Sequence, residues 1–110
     1  MNAICIIGAG PAGLMAAIAA QKTTPVTILE RGPSAGSKLL LTGGGRCNLT
    51  HVGDIEDFVK DCRPCGNSLK HAFYAFSPQQ LIQFFQDRHL ELVTEADGCI
   101  FPRFGRAADV

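Results

Sequence analysis

The feature that most constrains this chain is a set of three glycines, spaced as Gly8-x-Gly10-x-x-Gly13, near the start of its 110 residues. An apolar run, residues 3–7, comes directly before them, and an Ala-rich segment, residues 12–21, overlaps the last of them. The first run is typical of a strand covered on both faces, and the second is typical of a buried helix. The pattern therefore predicts a strand, a tight turn and a helix in immediate succession.

A second strand is predicted at Val26–Leu29, because this β-branched run follows a helix stop at Thr24-Pro25. Two strands joined by a helical crossover pair in parallel and form a right-handed βαβ unit. Pro11 and Ala12 lie at the predicted start of the helix, where the missing N–H of proline is not needed. Unpaired N–H groups and the positive end of the helix dipole make this helix start favourable for phosphate.

Each glycine of the turn has a physical role in binding a dinucleotide. Gly8 permits the tight turn, Gly10 lets the backbone approach a pyrophosphate, and Gly13 lets the helix pack closely on the strand. Glu30 follows the second strand, where a carboxylate accepts hydrogen bonds from ribose hydroxyls and repels a 2′-phosphate. These residues predict a dinucleotide site that disfavours NADP, but they do not choose between FAD and NAD. The alternative is an ordinary α/β domain with a glycine-rich turn and Glu30 on its surface.

A second glycine-rich segment, residues 32–48, follows this strand. Its three consecutive glycines, residues 43–45, can direct several backbone N–H groups at one ligand. Arg46 offers a planar donor fork for a pyrophosphate or a flavin edge, and Asn48 offers both a donor and an acceptor. Lys38 adds positive charge near the phosphates. The alternative is a flexible surface loop whose arginine is merely solvated.

Two sequence runs carry a resemblance to known flavoproteins. Gly-Ala-Gly-Pro-Ala-Gly-Leu at residues 8–14, followed by Glu30-Arg31, resembles the FAD-binding domain of glutathione-reductase-type flavoproteins. Residues 38–50, which include Gly-Gly-Gly-Arg-Cys-Asn, resemble the BaiN/YhiN-type FAD-dependent oxidoreductases, also labelled aminoacetone-oxidase-like. Two later motifs match the same family's pattern: Asp97-Gly98-x-x-Phe101-Pro102 and Ala107-x-Asp109-Val110.

The resemblance implies a Rossmann-like α/β fold with a parallel βαβ start, then helices and a β-hairpin. It implies FAD as the cofactor, hydride transfer to the flavin from NAD(P)H or from a substrate, and an unidentified small-molecule substrate. Family members are roughly three to four times longer than this chain, so the chain corresponds to a partial FAD-binding domain. Residues 1–50 supply the βαβ unit and the second glycine-rich segment, residues 32–48, which we call the flavin loop. Residues 51–110 supply the helical connection and the hairpin. The family's C-terminal region is expected to be needed for activity.

The candidate cofactor-binding residues are those of the two glycine-rich segments and the strand end between them: Gly8, Gly10, Pro11, Ala12, Gly13, Glu30, Arg31, Lys38, Gly44, Gly45, Arg46, Cys47 and Asn48. No residue is assigned as a catalytic acid or base. Two other functions stay open at this point. One is an NAD-binding dehydrogenase module, and the other is a non-catalytic nucleotide-binding fragment.

The second half of the chain predicts helices and one hairpin. Helices are expected at residues 54–62 and 67–74, and a further helix begins at Ser77-Pro78, where serine is the N-cap and Gln80 completes a capping pair. The hairpin is expected from residues 90–94 and 99–101, because Asp-Gly between them is a strong turn signal.

Charge and cysteine content exclude several classes of protein. Ten basic and ten acidic residues cancel, so neither nucleic acid nor a membrane surface is an expected partner. Residues 3–20 are uncharged, but glycine and proline interrupt them and no basic start precedes them, which argues against a signal peptide or membrane span. Five cysteines suit reduced thiols in the cytoplasm.

Three further side chains have open interpretations. Cys62 and Cys65 form a Cys-x-x-Cys pair without the additional ligands of a zinc site, so they are interpreted as incidental thiols or as a redox dithiol. Cys47 is expected to be a small buried residue of the flavin loop. His51 is interpreted as a solvated loop residue or as a proton donor near the flavin ring. No metal site is predicted.

Overall fold

The predicted βαβ unit opens the structure, a computed structural model that describes residues 2–110. Strand β1 (Ile4–Ile7) pairs in parallel with β2 (Val26–Leu29), with Ile4 opposite Val26 and Ile7 opposite Leu29. Helix α1 (Pro11–Ala20) connects the two strands and packs against both. The prediction of an α/β Rossmann-type start is confirmed, with helix and strand bounds shifted by one residue.

The remaining elements form a helical connection and a small antiparallel sheet. In chain order they are a 3₁₀ segment (Leu39–Gly45), β3 (Thr50–His51), α2 (Ile55–Asp61), α3 (Gly66–Ala75), α4 (Pro78–Gln86), β4 (Leu92–Thr94), β5 (Cys99–Pro102) and a 3₁₀ turn (Ala107–Asp109). The sheet order is β3-β5-β4. Strand β3 was not predicted, because two residues are too few to show an alternating pattern.

Local capping signals explain where two of the helices begin. Ser77 Oγ accepts a hydrogen bond from Gln80 N at 3.2 Å, and Gln80 Oε1 accepts one from Ser77 N at 2.8 Å. This reciprocal pair is the capping box that the sequence predicts for α4. At α2 the Asp54 carboxylate is a simple N-cap, which accepts a hydrogen bond from Asp57 N at 3.0 Å.

The predicted hairpin joins β4 to β5 through the Asp-Gly turn. Gly98 has a φ of +87°, a conformation that glycine adopts without strain. The Asp97 carboxylate accepts a hydrogen bond from Cys99 N at 3.0 Å, and this bond lowers the pKa of Asp97 below its usual value. The turn also contacts β3, since His51 Nε2 lies 2.8 Å from Asp97 O. The hairpin prediction is confirmed.

The core lies between the hairpin and the second glycine-rich segment. Its buried members include Cys47, Ile100, Phe101, Pro102 and Ala107.

The expectation that the first strand is covered on both faces is wrong for residues 2–110. The Ile7 residue is 87% exposed, and only Ala17 of α1 is buried. The reason is that β1 pairs with β2 alone and α1 covers one face of this two-stranded sheet.

Within the described residues, no helix is long and apolar enough to cross a membrane.

Candidate cofactor site

The first glycine-rich turn places backbone groups at the end of β1. Gly8 adopts a φ of +98° and donates its N–H to Leu29 O at 2.7 Å, which joins the ends of the two parallel strands. Gly10 is the N-cap of α1 and Pro11 is its first residue. The N-terminus of α1 therefore begins at this turn, as phosphate binding requires.

Two glycines of the turn are needed for different reasons. A Cβ at Gly13 would lie 2.0 Å from Gly8 O, so only glycine permits this approach of α1 to the turn. A Cβ at Gly10 would meet no atom within 4 Å, and the φ of −76° at Gly10 is accessible to any residue. The protein itself therefore leaves space at Gly10, as a pyrophosphate in close contact with the backbone requires. The turn thus fits the phosphates of a dinucleotide.

Glu30 is held in place by backbone donors from both sides. Its Oε2 accepts a hydrogen bond from Ala9 N at 2.7 Å, and its Oε1 accepts one from Gly32 N at 2.6 Å. The hydrogen bonds from Gly32 and Ala9 lower the pKa of Glu30, so this carboxylate is ionised at neutral pH. An ionised carboxylate has about four acceptor positions. Two of them are used here, and the others are suited to ribose hydroxyls.

We expect the Glu30 hydrogen bonds to make stability depend on acid pH. A carboxyl group whose pKa is lower in the folded state stabilises the fold above its unfolded-state pKa, and this contribution is lost as pH falls through the folded-state value. In urea unfolding, the stability difference between wild type and Glu30→Gln should therefore shrink as pH falls below the ordinary glutamate value of 4.5. A difference that stays constant from pH 7 into the acid range would contradict this expectation.

The second glycine-rich segment is attached to the first. Gly36 donates its N–H to Ala9 O at 2.8 Å, next to the Glu30 contact. Beyond this bond, a cavity of about 570 Å³ lies between α1 and α4. Pro11, Cys47 and Asn48 all line it, so the structure brings the start of α1 and the end of the flavin loop to one space. The other cavity walls are mainly apolar side chains, among them Leu14, Met15, Ile18, Leu81, Phe84 and Phe85.

The three consecutive glycines of the flavin loop have left-handed backbone conformations. Their φ values are +55°, +66° and +89° for Gly43, Gly44 and Gly45. A Cβ at Gly44 would meet nothing within 4 Å, whereas one at Gly43 would lie 3.0 Å from the Phe101 ring. The loop therefore has one side packed on β5 and one side open at Gly44, which is the arrangement that a ligand-contacting loop needs.

The other five predicted residues have surroundings of three kinds: an ion pair, the protein interior and solvent. Arg46 forms an ion pair with Glu95, and its guanidinium carbon lies 4.0 Å from the centre of the Phe101 ring. Cys47 is buried, with 2% of its surface exposed, which confirms the expectation of a small buried residue. The other three predicted positions, Ala12, Arg31 and Lys38, are solvent-exposed.

Sequence reasoning did not identify Glu95 or Phe101 as neighbours of this loop. Glu95 lies 49 residues from Arg46, and no spacing or periodicity links the two positions. His51, interpreted as a solvated loop residue or as a proton donor near the flavin ring, belongs to β3 and contacts the hairpin turn. Among residues 2–110, no cluster of three or more His, Cys, Asp or Glu side chains is arranged to hold a metal ion.

The fold and this site define an FAD-binding Rossmann domain. The chain belongs to the family described as the HI0933-like protein Rossmann domain, whose sequence model matches residues 2–110. This is the BaiN/YhiN-type family that the flavin loop resembles. The predictions of family, fold and FAD are confirmed, and the NAD-binding dehydrogenase alternative is not supported.

Curated relatives from several bacteria share this region. The chain is 38% identical over 122 residues to a 3-dehydro-bile acid delta(4,6)-reductase of Clostridium scindens, a match that covers all of this chain and 27% of that protein. It is 46% identical over 48 residues to a ribosomal RNA dihydrouridine synthase of Escherichia coli, covering 43% of this chain and 12% of the relative. It is 36% identical over 73 residues to a multifunctional alkene reductase/demethylase OYE of Caballeronia cordobensis, a match that covers 66% of this chain and 11% of that protein. The chain thus spans about a quarter of the first relative and less of the others.

Proposed function

We propose that this chain binds the ADP part of FAD for a reductase that acts on carbon–carbon double bonds. The observation that carries the cofactor site is the Glu30 carboxylate, which is held by Ala9 N and Gly32 N at the mouth of the glycine turn. In this proposal Glu30 accepts hydrogen bonds from the adenosine ribose. The N-terminus of α1, with Gly10 and Pro11, then contacts the pyrophosphate.

Six of the thirteen predicted positions form two groups in this proposal. Gly8, Gly10, Gly13 and Glu30 form the adenosine end of the site. Asn48 and the open side of Gly44 form the end nearer the flavin ring, because Asn48 and Pro11 line the same cavity. When bound, FAD supplies hydride transfer. The contribution of this chain is to orient the cofactor and to stabilise its phosphate charges.

The substrate class is proposed from the relatives' names. A delta(4,6)-reductase and an alkene reductase are named for reducing carbon–carbon double bonds, and dihydrouridine is uridine with two added hydrogens. The product of such a reaction gains one hydride, which originates from NAD(P)H in this proposal, and one proton. The chain offers no side chain that we assign as the proton donor. We therefore place substrate binding and proton donation in the C-terminal region that the relatives possess.

The proposed location is the cytoplasm. The five cysteines are all free thiols, which suits a reducing compartment.

The test of this function is the flavin content of the purified protein and its reaction with NAD(P)H. We expect yellow protein that releases FAD on denaturation. We also expect a form extended to the length of the relatives to be bleached by NADH or NADPH without oxygen and reoxidised by an electron-poor alkene. Colourless protein that binds NADH and ignores FAD would instead indicate a dehydrogenase module. FAD binding without turnover in the extended form would indicate a non-catalytic nucleotide-binding protein.

A further inference from the structure

One arginine of the flavin loop pairs with an acidic side chain of the β-hairpin. Arg46 extends from the loop to the hairpin, where its Nη2 donates to Glu95 Oε1. Its guanidinium lies over the face of the Phe101 ring, with 4.0 Å from Cζ to the ring centre. An ion pair and a cation–π contact therefore act on the same side chain.

The same ring also supports the glycines of the loop. A Cβ at Gly43 would lie 3.0 Å from Phe101 Cε1, so the ring edge touches the loop backbone while its face contacts Arg46. Phe101 is itself buried in β5. Next to these contacts, Leu49 donates its N–H to Ile100 O at 2.8 Å, which joins the end of the loop to the same strand. The hairpin thus contacts the loop and the residue after it at three neighbouring positions, Gly43, Arg46 and Leu49.

We propose that Glu95 and Phe101 are positioning residues for FAD, and that Arg46 acts by holding the flavin loop on the hairpin rather than by binding the cofactor. This inference rests on the proposed FAD site. Arg46 has one end engaged by Glu95 and one face covered by Phe101. The open side of the loop is at Gly44. Loss of the ion pair lets the loop leave its binding-competent position, and apparent affinity falls with the fraction of competent molecules.

The chain contains a matched control for the ion pair. Glu91 pairs with Arg103 at 2.7 Å, and this pair belongs to the same hairpin region. Its two side chains are 64% and 59% exposed, against 43% and 40% for the Arg46–Glu95 pair. Glu91→Gln therefore removes the same charge from the same region without touching the flavin loop.

The experiment measures the FAD dissociation constant by fluorescence for wild type, Glu95→Gln and Glu91→Gln. We expect Glu95→Gln to bind FAD about 2- to 5-fold more weakly, a size set by the loss of one partly exposed ion pair. Glu91→Gln should match wild type. At saturating FAD, the absorption spectrum of the flavin in Glu95→Gln should match that of wild type, because every molecule that has bound FAD has the loop in its competent position. Equal melting temperatures of the two apo variants exclude a general loss of fold.

A charge exchange distinguishes positioning from direct contact. Arg46→Glu and Glu95→Arg should each weaken FAD binding, and the double variant should recover to within about threefold of wild type, since contacting residues couple. If Arg46 binds FAD directly, the double variant stays as weak as Arg46→Glu, and Glu95→Gln binds as well as wild type. Either of these results overturns this inference and leaves the proposed function unaffected. A wild-type protein that binds no FAD overturns the proposed function as well.

Discussion

Replacement of Gly13 with alanine is expected to lower the free energy of unfolding by about 3 kcal/mol or more, the upper range for overpacking. The added Cβ would lie 2.0 Å from Gly8 O and 3.1 Å from Gly8 C. Both are backbone atoms of a tight turn, so no side-chain rotation relieves the clash. Either α1 moves away from β1 or the turn opens. Domains are stable by only about 5–15 kcal/mol, so this loss is a large share of the total. Urea unfolding of the apo protein measures it directly.

Gly10→Ala is the matched control for that variant. It adds the same methyl group to the same turn, at a position where a Cβ meets no atom within 4 Å. The stability of apo Gly10→Ala should therefore equal or slightly exceed that of wild type, while its FAD affinity should fall because the methyl group occupies the space next to the pyrophosphate. If Gly13→Ala unfolds at the same urea concentration as Gly10→Ala, the close approach of α1 to Gly8 makes no contribution to the free energy of unfolding.

The variant Glu30→Gln is expected to weaken FAD binding by roughly 10- to 100-fold, the range for loss of charge-assisted hydrogen bonds. Glutamine keeps the size of the side chain but loses the charge. In wild type each carboxylate oxygen accepts a hydrogen bond from a backbone N–H, so in the variant the NH₂ group faces one of these donors and cannot accept from it. The ribose would then lose a charged acceptor, and the acceptor that remains is less well oriented. Titration of FAD into apo protein, followed by flavin fluorescence, gives the affinity.

Two comparisons separate ribose binding from local damage in this variant. Glu91→Gln, with the same chemical change on the surface of the hairpin region, should bind FAD as wild type does. Free flavin mononucleotide lacks the adenosine ribose, so its weaker binding should be unaffected by Glu30→Gln. An equal loss for FAD and for flavin mononucleotide would show that Glu30 supports the turn and does not contact the ribose.

The parts of the fold that the sequence predicts are those decided by neighbouring residues. The glycine turn, the capping box at Ser77 and the Asp97-Gly98 hairpin each depend on residues no more than five positions apart. Their backbone geometry follows from steric limits and hydrogen bonds that act within one turn of chain. Residue type and spacing were therefore sufficient to place them.

The sequence by itself predicted a dinucleotide site with Glu30 as its carboxylate, since strand, turn, helix and acid follow each other at a fixed spacing. Only the tertiary structure decided which groups hold Glu30 and which groups contact Arg46. Ala9 N reaches Glu30 across 21 residues, and Glu95 reaches Arg46 across 49. Such contacts depend on how separate elements pack against each other, and local sequence patterns do not predict this packing. Arg46, interpreted from sequence as a ligand of the cofactor or as a solvated loop residue, lies against Phe101 of the hairpin.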